Sequence, residues 1–183
     1  MESPSPTDLY RRATADALAV AERVRPDQLE RPTPCSAWTV QDLLDHLVGG
    51  TSYLGAAVAG TEPSAPTGST AADFRAGVEA CLAGLAQPGT LERTCTSPLG
   101  FDWTVQEATA GTFMDVLVHT WDLATATDQP ADLDLDLVEA CVAMFLPDMP
   151  ERGRAAGIVG PAVAVDEDAT PQDRLLAAMG RTP

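Results

Sequence analysis

Apolar residues recur at three- and four-residue steps along most of the chain, the spacing of helices with one buried face. Leu9, Ala13, Ala17 (or Asp16) and Val20 predict a helix from about Asp8 to Val24, which Arg25-Pro26 ends. Glu30 to Ala37, with Pro32 and Pro34, reads as a loop. The next helix starts at Thr39 and places Leu43, Leu44, Leu47, Val48, Leu54 and Val58 on a broad apolar face. Its glycines, Gly49, Gly50 and Gly55, lower helix propensity and are expected to admit close contact with a neighbouring helix. Gly60 to Ser69 is a loop by composition, and a third helix runs from about Thr70 to Ala86, stopped by Pro88-Gly89. Leu91 to Trp103 reads as extended and irregular around Pro98 and Gly100. A long apolar helix follows from Thr104 to about Thr127, then a shorter one from about Leu135 to Phe145. The tail holds a short apolar stretch, Ala162 to Val165, and a last helix that opens at Thr170-Pro171.

Four helices of bundle length without a βαβ rhythm predict an all-α bundle. No boundary interrupts the pattern, so residues 1–183 read as a single helical-bundle domain, long enough to bury a sizeable core without staples.

The formal charge is −16, and all eleven basic residues are arginine. Such an acidic chain repels phosphate backbones and anionic lipid, so neither nucleic acid nor a membrane surface is expected as a partner. The absence of lysine reads as base composition of the genome rather than as function. Cys35, Cys81, Cys95 and Cys141 are widely spaced with no CxxC pair, which argues against a disulfide framework or a thiolate zinc site and for buried small hydrophobes. The opening Met1-Glu2-Ser3-Pro4 lacks a basic and then apolar leader, and no apolar run approaches the ~20 residues that span a bilayer. The expected location is the cytoplasm.

The two histidines change the picture. Trp38-Thr39-Val40-Gln41-Asp42 precedes His46, and the near-identical Trp103-Thr104-Val105-Gln106-Glu107 precedes His119. Each opening is a helix start, threonine as N-cap with a carboxylate three residues on. From the threonines, His46 stands at +7, Asp115 at +11 and His119 at +15. Four-residue steps return to within about 40° of one helix face. Two packed helices can therefore aim imidazole, carboxylate and imidazole at one point, the donor set of a metal site. Either histidine alone reads more simply as a core residue satisfied by one hydrogen bond. Asp42 is explained by its cap, whereas Asp115 lies mid-helix between Met114 and Val116, where an unpaired carboxylate is costly and a cation compensates it. Asp122, seven residues beyond Asp115, is the rival ligand, an acceptor for a histidine N–H, or the partner of an arginine. Three such ligands leave coordination positions open, as in catalytic sites. The set suits Zn²⁺ first and also Fe²⁺, Ni²⁺ or Mn²⁺.

The segments Thr33 to Gly49 (TPCSAWTVQDLLDHLVG) and Asp115 to Ala124 (DVLVHTWDLA) resemble the DinB-like metal-binding proteins. The resemblance is to the standalone branch, similar to the metal-binding domain of mycothiol-dependent maleylpyruvate isomerase. The tail, Arg154 to Pro161 and Arg174 to Ala177, is also similar to that branch. The resemblance implies a DinB/YfiT-like four-helix bundle with a short C-terminal extension. It implies a divalent metal held by one histidine of the second helix and an acid-xxx-histidine pair of a later one, here His46, Asp115 and His119. The isomerase relatives carry glutamate where Asp115 stands.

Three functions are expected to compete. In the first, a metal-dependent enzyme activates a low-molecular-weight thiol or water for transfer, isomerisation or detoxification of a small electrophile. Asp122 would then orient an imidazole, and Trp121 or Trp38 would line the pocket. In the second, a non-catalytic module holds a metal or ligand without turnover. In the third, the bundle is metal-free and its histidines simply pack. A bundle of this type also allows a homodimer, with no face assignable from sequence.

Overall fold

A computed structural model describes residues 4–35 and 37–183. Met1 to Ser3, read above for a leader, and Ser36, inside the first motif, lie outside the described residues. The chain divides into two compact units, the first ending at Pro130 and the second covering Ala131–Pro183.

The first unit is a four-helix bundle. Helices α1 (Pro6–Ala21), α2 (Val40–Ala59), α3 (Ala71–Leu85) and α4 (Val105–Ala126) pack in the ring α1–α4–α2–α3, which closes on α1. Its core holds Leu9, Tyr10, Leu43, Leu47, Leu54, Phe74, Phe113 and Leu117, among them Leu9, Leu43, Leu47 and Leu54 that the periodicity selects, while Val20, Val48 and Val58 are half-buried. His46 of α2 meets Asp115 of α4 while Gly50, one turn later, faces Thr112, one turn earlier, so α2 and α4 are antiparallel. Gly77 of α3 lies against Thr51 and Gly84 against Val58, so α2 and α3 run the same way. The connection between them therefore has to travel back along the bundle. Asp45 fastens its end by accepting from the backbone N–H groups of Gly68 (3.1 Å) and Ser69 (2.6 Å).

The close approach of α2 and α3 comes from the other helix than the sequence suggested. A Cβ on Gly49, Gly50 or Gly55 would meet its nearest neighbour at 3.8–4.0 Å, which is ordinary contact. A Cβ on Gly77 or Gly84 would overlap Thr51 or Val58 outright. Each of α2, α3 and α4 starts with a threonine capping box: Thr39 with Asp42, Thr70 with Asp73, Thr104 with Glu107.

The segment read as irregular forms an antiparallel hairpin, β1 (Thr94–Thr96) with β2 (Asp102–Thr104), in which Cys95 pairs with Trp103. Ser97 and Gly100 close its five-residue turn, and the strands are too short for an alternating pattern to announce them.

The second unit contains α5 (Leu135–Phe145), α6 (Asp148–Ala155) and α7 (Pro171–Ala178), with α5 packed on α7. Helix α6 has no counterpart in the sequence expectation, because Pro147, Pro150 and Gly153 all read as breakers. Pro147 is its N-cap and Pro150 falls in its first turn, where no backbone N–H is needed. Among the described residues no helix is long and apolar enough to cross a membrane.

Candidate metal centre

Both motif openings are built alike. The N–H groups of Val40 and Gln41 donate to the carbonyls of Arg31 and Leu29, and those of Val105 and Gln106 donate to Arg93 and Leu91. A repeat longer than the five residues noted above therefore runs through the chain, Leu-Glu-Arg followed by Trp-Thr-Val-Gln-acid, at 29–42 and 91–107. The recurrence of Leu-Glu-Arg was available as a signal in the sequence, although its distance to the tryptophan differs, from Arg31 to Trp38 in one copy and from Arg93 to Trp103 in the other.

The structure brings His46, Asp115 and His119 together. His46 Nε2 lies 3.0 Å from Asp115 Oδ2, and His119 Nε2 lies 3.5 Å from Asp115 Oδ1. The two imidazole centroids are 4.6 Å apart. Donor atoms from all three fall within 4.8 Å of one another. Tetrahedral zinc with bonds of about 2.1 Å sets neighbouring ligand atoms about 3.4 Å apart, so these side chains fit a divalent ion with small adjustments.

Asp122 is placed elsewhere. Its side chain is fully buried, and its Oδ2 lies 2.8 Å from Nδ1 of His119. Asp122 thus accepts the Nδ1 proton and leaves Nε2 as the nitrogen aimed at Asp115. Asp42 stays on its cap, accepting from Thr39 N–H (2.8 Å) and hydroxyl (2.7 Å). Of the two tryptophans proposed to line the site, Trp38 meets both histidines, with ring centroids 4.7 Å from His46 and 5.5 Å from His119. Trp121 is buried in the core.

Burial is graded across the group. The side chain of His119 is 8% exposed, while those of His46 and Asp115 are 33% and 35% exposed. The buried histidine anchors the group and the other two open it to solvent.

The charges interlock. Burial raises the Asp115 carboxyl, but the charges of His46 and His119 and their hydrogen bonds outweigh it, holding the group well below the usual carboxylate range. Burial lowers His119, yet Asp115 and Asp122 outweigh that in turn and push it up to about 9. His119 thus faces a carboxylate on each side, Asp115 at Nε2 and Asp122 at Nδ1, and both favour its charged form.

The cysteines divide. Cys81 and Cys141 are buried, as expected of small hydrophobes, whereas Cys35 and Cys95 are only half-buried. Cys35, which sequence reasoning passed over, has its donor atom within 4.8 Å of those of His119 and Asp122.

Residues 10–124 match the family described as Mycothiol maleylpyruvate isomerase N-terminal domain, a range that includes His46, Asp115, His119 and Asp122. Two relatives from Mycobacterium tuberculosis are similar over nearly the whole chain. They are the Uncharacterized protein MT0763 of strain CDC 1551 / Oshkosh and the Uncharacterized protein Rv0738 of strain ATCC 25618 / H37Rv. Each is 35% identical over 187 residues, covering 97% of this chain and 98% of the relative. No solved structure matches.

Proposed function

Because the chain belongs to the mycothiol maleylpyruvate isomerase N-terminal domain family, we propose that it is a metal-dependent enzyme acting on a small electrophile. His46 Nε2, one or both Asp115 oxygens and His119 Nε2 would hold a divalent ion, zinc before nickel, iron or manganese. An ion so held supplies Lewis acidity, which lowers the pKa of a thiol or water ligand and makes a nucleophile available near neutral pH. The nucleophile would be a low-molecular-weight thiol or water, and the outcome transfer, isomerisation or detoxification.

The observation that carries this reading is the division of labour at His119. Asp122 takes Nδ1, so Nε2 faces Asp115 and can join it and His46, and the second carboxylate does not close the group. The partly exposed side of His46 and Asp115 is then where a substrate approaches. Trp38 lies over both imidazoles, restricts their rotation and covers one side of the group against water. Asp122 is engaged with His119 Nδ1, so nucleophile activation is assigned to the ion.

Elemental analysis of protein purified without chelator or affinity metal is expected to give about one divalent ion per chain, and Asp115→Ala to lose it. The loaded protein is then expected to accelerate attack of a thiol on members of an electrophile panel. Bound metal with thiol reactivity unchanged across the panel would favour the non-catalytic module. Absence of metal in both proteins would favour the packed, metal-free bundle.

A further inference from the structure

The loop before α2 brings Cys35 to His119 and Asp122 of α4. Thr33 N–H donates to Trp38 O (3.0 Å), Trp38 N–H to Cys35 O (3.1 Å), and the Thr33 hydroxyl to the same Cys35 carbonyl (3.0 Å). Ala37 is held at φ 72°, a left-handed conformation that costs a residue with a Cβ on the order of 1 kcal/mol. Such strain persists only where the surroundings enforce it, and here it fixes the turn that carries Cys35 and Trp38 to the histidines.

We propose that Cys35, His119 and Asp122 form a second metal-binding group, selective for soft ions, which competes with the first group for His119. A cysteine sulfur, an imidazole nitrogen and a carboxylate oxygen lie within 4.8 Å of one another there. A tetrahedral ion with a sulfur bond of about 2.3 Å and a nitrogen bond of about 2.0 Å sets those atoms about 3.5 Å apart. Rotation of the half-buried Cys35 side chain supplies the difference. His119 Nδ1 is the ring atom on the Asp122 side, 2.8 Å from Oδ2, a separation that one ion can span. The thiolate favours zinc, cadmium or copper(I) over magnesium, calcium or manganese. His119 and Asp122 are buried and Cys35 is not, so an ion arrives from the cysteine side.

The other three cysteines do not offer this. Burial pushes the Cys81 and Cys141 thiols up to about 11 and about 12, and Cys95 packs beside Tyr53 in the hairpin region. Among the described residues, Cys35 is the cysteine that joins a group able to hold an ion. A neutral imidazole has one lone pair, so an ion on Nδ1 forces the proton to Nε2 and withdraws His119 from His46 and Asp115. The group does not rest on the proposed enzyme, since removal of His46 leaves all three of its donors in place.

The test titrates cadmium chloride into the chelator-treated full-length protein and follows the ultraviolet thiolate-to-cadmium charge-transfer band. The band is expected in the wild type, in His46→Ala and in Cys95→Ser, and is expected to vanish in Cys35→Ser. Its absence from the wild type, or its survival in Cys35→Ser, overturns the proposal. A second measurement needs no variant: cadmium at ten times its Kd should slow alkylation of Cys35 about tenfold, read by peptide mass spectrometry. Alkylation at an unchanged rate overturns the proposal as well.

Discussion

Asp122→Asn removes one negative charge from behind His119 and leaves a carbonyl oxygen of the same shape to accept the Nδ1 proton. Asp122 is fully buried and 2.8 Å from Nδ1, so the lost charge is felt with little screening. Carboxylates that support a ligating histidine are worth about 10–100-fold in metal affinity, or about 1.4–2.7 kcal/mol. Proton competition modifies the figure. His119 is raised to about 9, so at pH 7 an incoming ion displaces a proton held two pKa units above the solution pH. At about 1.4 kcal/mol per unit, that deducts about 3 kcal/mol from wild-type affinity at pH 7 and nothing above pH 9. The asparagine weakens the proton's hold along with the ion's. The variant's deficit is therefore expected to be largest above pH 9 and smaller at pH 7, with the number of bound ions unchanged. Zinc competition against a chromophoric chelator at both pH values measures it. Equal affinity above pH 9 would refute the supporting role, and complete loss of binding would show that the carboxylate is itself a ligand.

Metal loading at pH 7 is expected to release about one proton per chain from His119, read by calorimetry in buffers of different ionisation enthalpy. The chelated protein should be most thermally stable between about pH 4 and pH 6.5. Raised from its ordinary 6.5, His119 contributes stability that is complete below that value and lost as the pH climbs through 9. Asp115, lowered from 3.8, contributes stability that is present above that value and lost in more acid solution. A melting temperature in chelator that rises from pH 7 to pH 9.5 would contradict the assignment. In the bundle, Gly77→Ala should cost about 1–3 kcal/mol by overlap with Thr51, whereas Gly55→Ala should be neutral or gain up to about 1 kcal/mol, measured by denaturant unfolding.

What the sequence disclosed follows from the range of the forces involved. Helices α1 to α5 and α7 were legible because their buried faces, capping residues and prolines are local features. Helix α6 was not, since proline and glycine carry a breaker's meaning unless their position within the first turn is known. The β1–β2 hairpin pairs strands of three residues, too few for period-two alternation, and rests on pairing that only the fold supplies. In the site, the spacing of His46, Asp115 and His119 indicated a shared face, and helix packing did the rest. Asp122 kept three readings because its distance to a histidine ring depends on rotamers. Cys35 was invisible because it sits in a loop whose course over His119 depends on the turn at Ala37.

The repeat explains why the first unit builds the His46 group once and not twice. Both halves use tryptophan and threonine in the same places, and each tryptophan packs over the residue eight positions after itself. For Trp38 that residue is His46, with ring centroids 4.7 Å apart. For Trp103 it is Gly111, where a Cβ would come within 2.8 Å of the indole. The positions equivalent to Asp115 and His119 in the first half are Gly50 and Leu54. Antiparallel packing of α2 on α4 joins position +7 of one helix to +11 and +15 of the other, so a repeated pair of helices has two places where a triad could assemble. One place holds His46, Asp115 and His119; its counterpart holds Gly111, Gly50 and Leu54, with no donor atom beyond the backbone. The tryptophans keep a structural task in both halves, and the grouping of two imidazoles with a carboxylate stands in one. Placing a histidine at Gly111 would therefore not create a second such group: it would displace Trp103 from its seat and leave an imidazole without a partner carboxylate.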